Sequence, residues 1–74
     1  MDFKSATDRL TDRVTADDIA AAFGVARNTI ARARLEPGSS AYRSPPELWR
    51  GVIARLARER AKALTSLAEM LEGE

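Results

Sequence analysis

The stretch that constrains this chain most is Ala16 to Leu35, ADDIAAAFGVARNTIARARL. Ile19, Ala20 and Phe23 stand three to four residues apart, which places them on one face of a short helix. Gly24 follows and suits a turn that leaves the right-handed region without steric cost. Val25, Ile30 and Ala33 then repeat the apolar spacing along a second short helix. Ala20 is small enough to let that second helix approach the first closely. Two helices this short cannot cover their own apolar side, so the rest of the chain must supply the cover. The polar residues of the second helix, Arg27, Asn28, Arg32 and Arg34, have no partner in the stretch and are left for a ligand.

A small residue at Ala20, Gly24 four residues on, and apolar Val25, Ile30 and Ala33 make this stretch resemble the DNA-binding helix-turn-helix motif. The relatives meant are the small helical domains of phage repressors, Cro-like proteins and similar bacterial transcriptional regulators. The resemblance rests on twenty of the 74 residues. Ala26 departs from it, because relatives often place Ser or Thr there; an Ala cap costs about 1 kcal/mol. The resemblance implies a recognition helix over about residues 26–35 lying in the major groove, its first residues facing base edges. Arg27 and Asn28 are then the leading base readers, with Ala31 and Arg32 one turn further on. Arg matches the O6/N7 edge of guanine, Asn the N6/N7 edge of adenine, and Ala31 a thymine methyl. Thr29 and Arg34 fall to phosphate, together with Ser39, Ser40, Tyr42 and Arg43 in the following loop. The competing reading of the loop has Tyr42 covering the core while the serines face water.

Seventy-four residues make one small domain, with no cysteine to staple it and no His or Cys to build a zinc site. Chains of this size rely on well-packed helices or on oligomerisation. No apolar run is long enough to span a bilayer, and MDFKSATDRL lacks the apolar core of a signal peptide. A soluble, cytoplasmic protein is expected. The net charge of +1 conceals an asymmetry. Met1 to Gly24 carries five acids against three bases, Val25 to Lys62 nine bases against three acids, and the remainder three acids. The basic excess begins at the second helix of the pair, where an anionic partner would read it.

The remaining segments read as helices, giving an all-α fold of three short helices closed by a long C-terminal one. Phe3, Ala6, Leu10 and Val14 form a stripe over Asp2–Val14, expected to cover the back of the helix pair. Thr15 caps the next helix with Asp18 in a capping-box arrangement, and Asp17 and Asp18 suit the positive end of the helix dipole. Glu36–Ser40 is a turn by composition, ending the third helix near Leu35. Ser44-Pro45-Pro46-Glu47 reads as the start of the last helix, running to about Leu71. Its stripe carries Trp49, Val52, Ile53, Leu56, Ala57, Ala63, Leu64, Leu67, Met70 and Leu71. Residues 1–60 are thus expected to form the helix-turn-helix domain, with the motif at 16–35, and residues 61–74 an oligomerising extension. In that extension Leu64, Leu67, Met70 and Leu71 find no apolar surface left in their own chain and pair with a second subunit. Arg60 interrupts the stripe. It either snorkels to water or marks the boundary between core and dimer seam, pairing with Asp8, Asp12 or Glu59. A kink near Arg60 that folds the last turns back is the alternative to the dimer.

The expected function is that of a sequence-specific double-stranded DNA-binding transcriptional regulator, acting as a homodimer. The alternatives are a DNA-packaging or recombination accessory, such as a small terminase subunit or an excisionase, and a module that docks on a protein of the transcription machinery. No cofactor or metal is expected, and no enzyme: no His, no Cys, no phosphate-binding glycine loop and no nucleophile–base pair occurs.

Overall fold

The computed structural model describes residues Met1–Glu74 and is all-α: α1 Phe3–Thr11, α2 Ala16–Phe23, α3 Arg27–Ala33 and α4 Trp49–Glu72. Each short helix has a local cause. Asp2 caps α1 by accepting from the Ser5 N–H at 2.7 Å. Thr15 caps α2 in a complete capping box: its hydroxyl accepts from the Asp18 N–H, and Asp18 accepts from the Thr15 N–H at 2.8 Å. Gly24 ends α2 in the left-handed region at φ 70°. The Val25 N–H then reaches the Ala20 carbonyl at 3.0 Å and the Gly24 N–H the Ala21 carbonyl at 3.1 Å, which is the Schellman arrangement. Ala26 opens α3 with no side-chain cap, as its chemistry requires.

α3 is shorter than the expected 26–35, ending at Ala33 with Arg34 as its C-cap, and two other boundaries differ by three residues or more. α1 stops at Thr11, not Val14, and the backbone turns extended at Asp12. Thr15 must itself be extended to cap α2, so the intervening residues are needed to redirect the chain. α4 begins at Trp49, five residues after Ser44. Ser44 and Pro45 each precede a proline, whose ring disfavours the helical region for the residue before it. Leu48 then enters α4 through the left-handed region at φ 63°, with no side-chain cap. Beyond that point α4 runs for 24 residues through Arg60 as one helix, and the last turns do not fold back as a separate one.

α4 is the spine, about 36 Å long at 1.5 Å per residue, and it sets overall dimensions of 52 × 23 × 20 Å. α2 packs on α3 and on the first half of α4. α1 packs on the second half of α4 and nowhere approaches α2 or α3, so it does not back the helix pair. It runs antiparallel to α4, with Ala6 and Leu10 beside Leu64, Leu67 and Leu71. The C-terminal leucines therefore do meet apolar surface in their own chain. Leu67 is one of three buried residues, with Ala20 and Ile30. Of the remaining α4 stripe, Trp49, Val52, Ile53, Leu56 and Leu64 are half-buried, whereas Ala57, Ala63, Met70 and Leu71 are exposed. One nine-residue helix is too short to cover the whole of that face.

Arg60 lies where α4 passes from α2 to α1. Its guanidinium donates to the Leu10 carbonyl in the last turn of α1 at 3.4 Å and pairs with none of Asp8, Asp12 or Glu59. A cation there meets the negative end of the α1 dipole and one of its unpaired carbonyls.

Candidate nucleic-acid interface

α3 separates its side chains sharply. Ile30 is buried, and Thr29 and Ala33 are half-buried on the same side. Arg27, Asn28, Ala31 and Arg32 are all exposed. At 100° per residue these four span an arc of about 140° away from Ile30. The apolar residues that lock α3 onto α2 thus fix which way the polar ones point. Ala20 is buried at the crossing, where its small side chain permits the close approach of the two helices.

The arc has an acid at one end. The Arg27 Nε lies 3.7 Å from the Asp17 Oδ1, an exposed pair joining the first turns of α2 and α3. An exposed pair of this kind contributes little to stability, but it holds Arg27 toward α2 and competes for its guanidinium. The sequence reading missed this role: Asp17 was accounted for by the α2 dipole alone. The available signal was that Gly24 folds α3 back beside the N-terminus of α2.

The residues assigned to phosphate are more scattered. Thr29 is half-buried against the pair, so little of it is offered to a ligand. Arg34 caps the end of α3 and lines an apolar groove of about 350 Å³ with Ile19, Phe23, Ile30, Trp49 and Ile53. The loop after α3 is tied back to it by the Arg43 N–H, which reaches the Arg32 carbonyl at 3.5 Å. Ser39 and Ser40 are exposed there, and the Ser39 hydroxyl accepts from the Ala41 N–H at 3.3 Å. The Arg43 guanidinium is turned onto its own loop, donating to the carbonyls of Tyr42 at 2.7 Å and Ser40 at 3.3 Å. Tyr42 is half-buried. Arg50, which the sequence reading left without a role, stacks over the Trp49 ring at 4.6 Å.

Asp18 and Asp2 are the titrating groups with displaced affinity. The Thr15 N–H, and then its hydroxyl, holds the Asp18 carboxyl below the ordinary 3.8, and Ser5 does the same for Asp2. Asp2 is the N-cap of α1 and Asp18 the capping-box partner of Thr15, so both sit at a helix N-terminus. No helix is long and apolar enough to cross a membrane.

No known family, curated protein or solved structure matches this chain. The functional reading therefore rests on the surface chemistry of α3 and its supports.

Proposed function

We propose that this chain is a sequence-specific double-stranded DNA-binding regulator of transcription that inserts α3 into the major groove. The observation that carries the reading is the exposed arc Arg27–Asn28–Ala31–Arg32, on a helix whose opposite face is pinned by Ile30. Rigid presentation matters because base readout needs donors at defined positions, and each good bidentate pair contributes about 1–3 kcal/mol of discrimination. Arg27 and Arg32 read guanine, Asn28 reads adenine, and Ala31 meets a thymine methyl. Ser39 and Ser40, exposed in the loop after α3, donate to the DNA backbone. A single copy has a small footprint, so two copies act on two half-sites about one helical turn apart.

The test is affinity selection from randomised duplexes at about 150 mM salt, where non-specific phosphate binding is weakened. The expected result is an enriched inverted repeat. Arg27→Ala or Arg32→Ala should then weaken the enriched site about tenfold or more while barely changing random DNA. Equal losses on both would reduce these residues to phosphate contacts. No enrichment would overturn DNA recognition and leave an acidic protein partner for the arginine-bearing helix.

A further inference from the structure

The end of the molecule far from α3 carries apolar surface that the chain leaves uncovered. α1 and the second half of α4 form an antiparallel pair, and an elongated groove of about 520 Å³ runs between them, walled by Ala6, Leu10, Leu64, Leu67 and Leu71. Phe3 belongs to the same lining yet is 84% exposed, and Leu10 is 60% exposed. Met70 and Leu71 complete the patch. A groove whose own walls are this exposed is open on its outer side, and a second copy offers the same apolar residues to cover it. A two-fold axis sets this patch against its own copy, because an isologous contact uses the same surface on both subunits.

The exposed area agrees. The chain exposes 5852 Å², whereas a well-packed globular chain of 8.1 kDa exposes about 4,500 Å². The excess, about 1,350 Å², is above the roughly 800 Å² that each partner contributes to a standard stable interface. The radius of gyration is likewise 16.1 Å, against about 11 Å expected for a chain of this length. A second copy covers the excess area by converting two helix pairs into a four-helix bundle.

We infer that the α1–α4 face, centred on Phe3, Leu10 and Leu71, is where a second copy of this chain docks. This deepens the reading above by naming how two copies meet, and it stands on observations independent of DNA binding. The interface includes α1, not the C-terminal leucines alone, and Leu67 supports it from beneath.

The test is sedimentation of the whole chain at about 100 µM, a concentration at which mass action populates a micromolar dimer. A dimer is expected for the native sequence and a monomer for Phe3→Glu. Phe3 is 84% exposed and so loses little packing in its own chain, and Glu in the first turn of a helix complements its dipole. The variant should therefore keep its helical circular dichroism at low concentration. Because the chain has no cysteine, Leu10→Cys gives a second readout: a bis-maleimide should join two Leu10→Cys copies, whereas an Asn28→Cys control on α3 should stay single. A native chain that sediments as a monomer, or a dimer that survives Phe3→Glu, would overturn the inference. DNA binding is scored separately: Phe3→Glu should retain affinity for a half-site and lose preference for the paired site. Loss of all DNA binding with the dimer intact would sink the DNA reading and leave this one standing.

Discussion

The two ends of the molecule are built by different means. At the α2–α3 end, a capping box, a left-handed glycine and a small residue at the crossing act within eleven residues, Thr15 to Val25, and each shows in a hydrogen bond or a buried side chain. At the α1–α4 end, residues fifty or more positions apart meet, and Leu67 alone is buried. Local chemistry is enough to aim the side chains of α3. Nothing local in α1 or α4 says which surface their apolar stripes will cover.

The largest expected effects compare one buried residue from each end. Ile30→Ala and Leu67→Ala should each cost about 2–5 kcal/mol, lowering the midpoint of thermal unfolding by tens of degrees in a chain this small. α4 touches both ends, so a single cooperative transition is expected in each variant. A two-step melt followed by circular dichroism would show that the ends unfold separately.

Next come the two left-handed residues, one at each junction. Gly24→Ala should cost about 1–2 kcal/mol; a Cβ there meets no atom within 4 Å, so the whole cost is backbone strain. Leu48→Gly should go the other way. Relief of the same strain outweighs the entropy of glycine by about 0.5–1 kcal/mol, since Leu48 is exposed and loses no packing. Chemical denaturation of both variants checks the opposite signs.

Helix ends give smaller changes. Ala26→Ser supplies the missing cap of α3 and should stabilise by about 1 kcal/mol. Arg60→Met keeps the aliphatic stem but removes the charge at the end of α1, for a loss of about 0.5 kcal/mol. Hydrogen exchange should place the first change in α3 and the second in the last turn of α1.

The smallest effect is in pH. Asp18 and Asp2 titrate below 3.8 in the folded chain. A lowered carboxyl contributes stability that is fully present above its unfolded value and disappears as pH falls through the folded one. Helicity should hold from neutral pH down to about 4 and decline below it. Asp18→Asn should flatten the part of that decline that belongs to α2.

The sequence was most legible where neighbours in the chain are also neighbours in space. The Thr15–Asp18 box, the Gly24 turn, the burial of Ile30 and the exposure of Arg27, Asn28, Ala31 and Arg32 follow from spacing and residue type alone. The start of α4 was misread because Ser44-Pro45 resembles a helix opening until the second proline is weighed. Arg60 was expected to seek an acid, yet a helix end offers carbonyls that serve a guanidinium as well.

Short-range chemistry thus decides the four helices and the outward face of α3, because capping, turn conformation and helical periodicity each depend on a few adjacent residues. Packing alone decides the side on which α1 lies. Its stripe fits the back of the helix pair or the end of α4 equally well by spacing, and the choice falls to whichever long-range contact buries more apolar surface once the turns before and after α2 have set the direction of the chain.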